Sequence, residues 1–276
     1  MAENLDPEVV AGFGDEWSRF DQSTLDPREL AHVYDLYFGI FPWSKLPKNA
    51  VGFDLGSGSG RWAKCVAPRV GRLFCIDASA EALAVARRNL SAQTNCEFVH
   101  APVEHIPLAD ESMDFGYSLG VLHHVPDTLA GLRSCVAKLK HGAPFLLYLY
   151  YAFDGRPFWY RGVWKASDLV RSVVSKAPHS IRYACSQLIA ATAYYPLART
   201  AWLLEKTGMN VEPLPLSFYR HRSFYTMRTD ALDRFGTRLE QRFTRVQIEK
   251  MMREANLIDI KFSEQMPYWV AVGTKA

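Results

Sequence analysis

The chain is poor in the features that would take it out of ordinary globular proteins. Only five cysteines occur in 276 residues, Cys65, Cys75, Cys96, Cys135 and Cys185, with no CxxC pair and no metal-ligand spacing. An odd count without a pattern argues against a disulfide framework or a zinc site, so free thiols and no bound metal are expected. No leader is evident. The first sixteen residues are polar and acidic where a secretory signal needs a basic start and an apolar run, which points to a cytoplasmic location. The longest uncharged, mostly apolar run of the second half, 183–198, contains Ser186, Gln187, Thr192 and Pro196. It falls short of the roughly 20 apolar residues that span a bilayer. Internal repeats and low-complexity stretches are also missing.

Acidic charge is scarce in one region. Residues 155–245 hold 15 Lys and Arg against six Asp and Glu, a balance of +9, while the whole chain carries only +3. Such asymmetry attracts an anionic ligand, a nucleic acid or a membrane surface, or it solvates an exposed helical face.

What is present follows a clear rhythm. Leu30, Val33, Tyr34, Tyr37, Phe38 and Phe41 lie on one face of an amphipathic helix, stopped by Pro42. From Val51 the pattern alternates. Strands are expected at 51–54, 73–76, 97–99, 114–118 and 144–150, with helices at 61–66, 79–90 and 127–139 between them. Ser79 is placed to cap the second of these helices. Short buried strands alternating with helices imply a parallel sheet covered on both faces. Residues 152–243 break the rhythm with helical stretches at 165–176 and 181–206, the latter kinked at Pro196. Thr244 and Gln247 then give a capping-box signature for a helix through Ala255. Two closing strands, 258–262 and 268–273, follow. The division expected is a helical cover at 1–48, an α/β core at 49–151 and 244–276, and an inserted helical lid after the fifth strand at 152–243.

Between the first strand and its helix stands Asp54-Leu-Gly-Ser-Gly-Ser-Gly60. Glycines there allow a tight turn and close backbone approach to a ligand. The spacing is GxGxG rather than the GxGxxG of dinucleotide-binding proteins, and such a loop alone is weak evidence. Asp77 strengthens it: this residue ends the next strand, 17 residues after Gly60, where a carboxylate can accept from both hydroxyls of a ribose.

With these residues in hand, the chain resembles the class I S-adenosylmethionine (SAM)-dependent methyltransferases, in the branch that acts on small molecules. DLGSGSG at 54–60 is similar to the first motif of that family, and CIDAS at 75–79 to its second. Pro102-Val-Glu-His-Ile-Pro107, Asp110-Glu-Ser-Met-Asp-Phe115 and Ser118-Leu-Gly-Val-Leu-His-His-Val-Pro-Asp127 resemble its adenine-pocket segment, fourth strand and following turn. The likeness covers residues 50–151 closely and 244–274 in outline.

The resemblance implies a seven-stranded, doubly wound Rossmann-like sheet, SAM as cofactor and S-adenosylhomocysteine as product. It also implies site roles. Gly56, Gly58 and Gly60 contact the methionine end, and Asp54 accepts from its amino group. Asp77, with Ala78 beside it, holds the ribose. Val103 and Glu104 face the adenine, and Leu119 and Gly120 lie near the transferred methyl. Trp17, in an N-terminal helix, covers the cofactor. Where many relatives have an Asp before the adenine-contacting residue, this chain has Pro102, which leaves the adenine amino group to backbone groups or Glu104.

Methyl transfer needs alignment first and, for a hydroxyl acceptor, a base. His123 and His124, after the fourth strand, are the candidates, with packing and capping as their other role; Tyr117, Tyr148, Tyr150 and Tyr151 are alternatives. In the insertion, Arg220, Arg222, Tyr225 and Arg228 interleave charge with aromatics, and with Tyr151 they make a candidate wall for an anionic substrate. The expected acceptor is a small, acidic molecule, with O-methylation favoured and nucleic acid disfavoured. A lipid-like or membrane-borne substrate, with peripheral membrane contact, and a non-catalytic partner subunit of the same fold are the competing readings. An NAD-dependent oxidoreductase is disfavoured by the glycine spacing and by the closing hairpin.

Overall fold

The computed structural model describes residues 4–276, so residues 1–3 of the expected N-terminal cover lie outside it. In chain order the elements are α1 (Pro7–Arg19), α2 (Pro27–Phe38), β1 (Val51–Leu55), the single turn α3 (Ala63–Val66), β2 (Arg72–Asp77), α4 (Ala80–Asn89), β3 (Cys96–His100), β4 (Phe115–Leu119), α5 (Thr128–Lys138) and β5 (Pro144–Tyr148). Then come α6 (Phe158–Val174), α7 (His179–Ile189), α8 (Tyr195–Lys206), α9 (Phe224–Gly236), α10 (Arg245–Glu254), β6 (Leu257–Phe262) and β7 (Val270–Lys275). Two compact units result. One comprises residues up to Ser23, Leu30–Ala152 and Leu239–Ala276, and the other Thr24–Glu29 and Phe153–Arg238.

In the first unit seven strands form one sheet in the order β3-β2-β1-β4-β5-β7-β6. The first five are parallel, and β7 runs antiparallel between β5 and β6. Strand β5 shows why both faces need cover. Phe145 and Leu147 enter the core shared with Leu132 and Val136 of α5 and Ile248 and Met252 of α10. Leu146 points into the opposite core, with Tyr34 and Phe38 of α2 and Leu73 of β2. A strand buried on both sides reads as a continuous apolar run, which is what 144–150 is.

Local chemistry sets the helix starts. The Asp6 carboxylate accepts from the amides of Glu8 (2.9 Å) and Val9 (3.2 Å) ahead of α1, with Pro7 in the first turn where no N–H is required. Ser79 caps α4 through the Ala82 amide at 3.2 Å, and the Thr244–Gln247 capping box opens α10. The order in which the chain adds strands reverses between β1 and β4, although the two strands run parallel. At such a switch point the loops beyond the carboxyl ends of neighbouring strands diverge and leave a crevice for ligands.

The second unit packs α7, α8 and α9 around Ala190, Tyr194, Ala198, Met227, Ala231 and Phe235. It differs in three ways from the sequence reading. Helix α6 starts at Phe158 rather than Lys165, because Pro157 takes the N-cap position and Tyr160 and Trp164 stack near Phe153 at 5.4 and 5.6 Å. The irregularity expected at Pro196 sits upstream as a π turn over Ala190–Tyr194, and Pro196 falls in the first turn of α8, where its missing N–H is harmless. Helix α9, unrecognised in the sequence, is capped by the Ser223 hydroxyl at the Thr226 amide (3.2 Å). Glu29 holds this cap from outside, accepting from the Ser223 amide at 3.1 Å and the Thr226 hydroxyl at 2.7 Å. Among the described residues no helix is long and apolar enough to cross a membrane.

Candidate active site

The loop after β1 turns on three glycines with positive φ, +75° at Gly56, +52° at Gly58 and +77° at Gly60. Gly58 is required twice over: its φ disfavours any side chain, and a Cβ there would lie 2.9 Å from the Trp17 indole of α1. Gly56 and Ser57 donate their amides to the Ile76 carbonyl of β2 at 2.8 and 3.0 Å, which pins the loop to the end of the next strand.

Asp77 completes this link. Its Oδ2 accepts from the Gly58 amide at 2.8 Å and its Oδ1 from the Ser79 amide at 2.9 Å. Each oxygen keeps a further lone pair for a ligand donor. Burial raises the Asp77 pKa, against the two amides that favour the carboxylate. Ala78 turns its carbonyl to His100 Nε2 at 2.9 Å, a hydrogen bond that holds the β2–α4 corner.

Asp54, one residue before the end of β1, is buried with its Oδ2 unpartnered, and the Ser57 and Ser59 hydroxyls in the loop are buried and unpartnered too. Burial holds the Asp54 carboxyl well above the usual carboxylate range, while the neighbouring Tyr117 phenol draws it down. Buried polar atoms are almost always hydrogen-bonded, so such a cluster beside a backbone cradle marks a ligand's polar groups. Val103 is buried in a single turn over Val103–His105, and Glu104 in that turn has a buried, unpartnered Oε2. At the end of β4, Leu119 is buried, and Gly120, at φ +79°, borders open space with nothing within 4 Å of a Cβ.

The two histidines lie in a turn over Leu122–His124, just past Gly120. His123 has no exposed surface, and neither ring nitrogen has a hydrogen-bond partner. Its ring sits 3.8 Å from that of Tyr150 and 4.0 Å from that of His124. Burial lowers its pKa well below 6.5, and His124 and Arg242 push it the same way. His124 is set differently: Nδ1 lies 2.7 Å from the Leu239 carbonyl. A carbonyl only accepts, so Nδ1 carries the proton. The His124 ring also packs 5.0 Å from Phe13 of α1.

Segment 239–243, which the sequence reading placed in the insertion, belongs to this unit and frames the histidines. Gln241 donates its amide to the His123 carbonyl at 3.0 Å and its side chain to the Val125 carbonyl at 2.7 Å. Arg242 lies 5.1 Å over the Tyr150 ring and donates to Glu240 at 2.8 Å and to the Tyr151 carbonyl at 3.3 Å. Tyr151 packs its ring 5.7 Å from Tyr268. Gln241 and Arg242 escaped sequence reasoning because they are about ninety or more positions from the residues they hold across the fold; only the basic excess of 155–245 hinted at Arg242.

The candidate anion wall lies in the second unit, where much of its hydrogen bonding is internal. Arg220 pairs with Glu205 at 2.8 Å and donates to the Ser217 carbonyl at 3.0 Å. Arg222 is buried, its guanidinium 4.8 Å over Phe218. Arg228 donates to Gln187 and, at 2.9 Å, to the Tyr183 hydroxyl. The Tyr225 carbonyl accepts from Thr229 at 3.1 Å within α9. Among the described residues no cluster of His, Cys, Asp or Glu is arranged to hold a metal ion.

These donors and acceptors fit SAM. The buried carboxyl of Asp54 suits an ammonium group, the unpartnered Ser57 and Ser59 hydroxyls suit a carboxylate, Asp77 suits two ribose hydroxyls, and Glu104 suits an exocyclic amine. The comparisons with known proteins agree. Residues 53–147 match the family described as a methyltransferase domain. The ubiquinone biosynthesis O-methyltransferase of Aliivibrio fischeri is 30% identical over 149 residues, which is 50% of this chain and 61% of that protein. The enzyme of the same name from Vibrio parahaemolyticus is 28% identical over 151 residues, 51% of this chain and 61% of that protein. The chain thus spans about six tenths of the length of these relatives. A solved CurJ carbon methyltransferase shares the fold, with a TM-score of 0.57 and 13% identity over 99% of this chain and 61% of that one.

Proposed function

We propose that this chain, a member of the class I SAM-dependent methyltransferase family, moves the methyl group of SAM to a hydroxyl oxygen of a small, acidic acceptor. His123 carries the choice of oxygen. A carboxylate, a thiolate or a neutral amine needs no base, whereas a hydroxyl gains from one. Two unpartnered imidazole nitrogens, beside the loop that follows β4, support a base that meets the hydroxyl once the acceptor displaces the packing over His123.

When bound, SAM supplies a methyl carbon activated on a sulfonium and leaves as the neutral thioether S-adenosylhomocysteine. Everything else is positioning and proton handling. Asp54 and the glycine loop fix the amino-acid end, Asp77 fixes the ribose, and Val103 and Glu104 fix the base. Leu119 and Gly120 leave room at the end of β4 for the acceptor oxygen to approach in line, and alignment of this kind supplies much of the acceleration. His123 takes the hydroxyl proton as the new carbon–oxygen bond forms, and Tyr150 stacks on its ring and holds its plane. His124, its tautomer fixed by the Leu239 carbonyl, keeps His123 from rotating.

The basic excess of the inserted unit favours an acidic acceptor, because net positive charge raises the local concentration of an acid. Arg220→Ala should raise KM for an acidic acceptor about threefold to tenfold with kcat little changed, in keeping with the modest worth of a partly screened charge. An unchanged KM removes the acidic-acceptor reading.

The assignment as a whole is tested by calorimetric titration with SAM, S-adenosylhomocysteine and NAD, followed by assays on aromatic hydroxy acids and their O-methyl ethers. Saturable binding of the first two and not of NAD is expected, with turnover of the free hydroxyl compounds and none of the ethers. Failure to bind either sulfur compound would sink the proposal. Turnover confined to the carboxyl group would leave the cofactor assignment standing and remove the role given to His123.

A further inference from the structure

Helix α6 has a large apolar sector that its own unit leaves uncovered. Phe158, Trp159, Val163, Leu169, Val170 and Val173 are all exposed, with Phe158 at 88%, Leu169 at 70% and Val173 at 68% of their full accessibility. At 100° per residue these six fall within one broad sector of the helix. The opposite side makes the contacts within its unit, and it carries polar groups. Ser167 receives a hydrogen bond from Arg234 at 3.4 Å, and Arg171 donates to the carbonyls of Thr237 and Arg238 at 3.1 and 3.0 Å. Tyr160 and Trp164 beside Phe153, and Val174 against the unit's core, already supply the apolar packing this unit uses, so the outer sector is surplus to it.

The charges around the apolar sector are of one sign. Arg161 and Lys165 are exposed on its border, and Lys176 is exposed just past the helix end. The one acidic side chain of α6, Asp168, is paired with Arg171 at 2.7 Å and lies 3.8 Å from Arg234. An apolar face containing Trp and Phe, edged by Lys and Arg and without a free carboxylate, has the composition of a helix lying in the plane of a bilayer interface. It is not a spanning helix, because its charges would have to enter the hydrocarbon.

We infer that α6 docks this chain on a lipid bilayer rich in anionic headgroups. The apolar sector enters the boundary between headgroups and acyl chains, while Arg161, Lys165 and Lys176 meet phosphate and carboxylate groups. A second copy of the chain is the poorer occupant. It would bring two units with the same basic excess together, whereas an anionic surface complements that excess. The inference goes beyond the methyl-transfer reading and stands on the second unit alone.

The experiment is co-sedimentation of the full chain with phosphatidylcholine vesicles, with and without phosphatidylglycerol, alongside light scattering of the free protein. Binding is expected only with phosphatidylglycerol, and high salt should weaken it. Leu169→Glu with Val173→Glu should abolish it; these side chains are exposed, and unchanged thermal melting and SAM affinity would show that the variant is folded. Arg161→Glu with Lys165→Glu should weaken binding at least about tenfold, since each basic group near an anionic surface contributes on the order of 1 kcal/mol. Three results would overturn the inference: no binding to either vesicle, binding unaffected by the paired substitutions, or a dimer of the free protein that Leu169→Glu dissociates. Vesicle binding needs no methyl transfer, so it can fail or succeed independently of the proposed activity.

Discussion

Asp77→Ala should lower the affinity for SAM and S-adenosylhomocysteine by about a hundredfold or more, the largest binding effect expected of any single substitution in the site. Hydrogen bonds to a charged group contribute about 1.5–3 kcal/mol each, and a tenfold change in affinity corresponds to about 1.4 kcal/mol. Two ribose hydroxyls lost at the lower bound already reach a hundredfold. Asp77 also accepts from the amides of Gly58 and Ser79, so its removal loosens the glycine loop as well. Asp77→Asn separates the two contributions. It keeps a carbonyl oxygen for one amide but replaces the other acceptor by a donor, and it should fall between wild type and Ala. The readout is calorimetry of both sulfur compounds, with thermal melting as a check on folding. Wild-type affinity in a folded Asp77→Ala protein would take this residue out of the site.

The second large effect is on turnover. His123→Ala should reduce kcat by about 10²–10⁴-fold while cofactor affinity stays near wild type, the range usual for loss of a positioned general base. His124→Ala should reduce it less, because that ring acts through its neighbour. The pH dependence carries the sign. A base works in its neutral form, and the pKa of His123 is held well below 6.5, chiefly by burial. The acid limb of kcat/KM should therefore lie below pH 6.5, and His123→Ala should lose it. Linkage acts in the same direction on stability. The folded pKa is depressed relative to the unfolded one, so this histidine's contribution is fully present above about pH 6.5 and is lost as pH falls from there through the folded value. Full activity in both variants across the pH range would mean that alignment alone carries the reaction.

Much of the candidate cofactor site is legible in the sequence because it is local. Asp54, the three glycines and Asp77 occupy two strand ends and one loop, and their spacing reports a turn that only such residues make. The same holds for the caps at Ser79 and Thr244, where one side chain answers an amide three residues on. What could not be read depends on contacts across the chain. His123 was visible as a candidate, but its unpartnered nitrogens follow from burial against Tyr150 and the return of segment 239–243, which no periodicity announces. In the insertion, α6 starts at Phe158 rather than Lys165; its N-cap is Pro157, which offers no side-chain oxygen to an amide, so the usual start signal is missing there. Helix α9 was missed for another reason: the aromatic and basic side chains of 217–225 suggested a recognition surface, while a Ser223 cap supported from Glu29 began a helix there.

Helix α1 touches both halves of the chemistry with one face. Phe13 meets the ring of His124, and Trp17, one helical turn later, lies over Gly58. A rigid rod in two contacts cannot release one without disturbing the other. Filling the loop beneath the indole should therefore be felt at the phenyl ring beside the histidines. The kinetic outcome expected is compulsory order, with SAM entering ahead of the acceptor and S-adenosylhomocysteine departing last; random-order initial-rate patterns would show that the two contacts act independently.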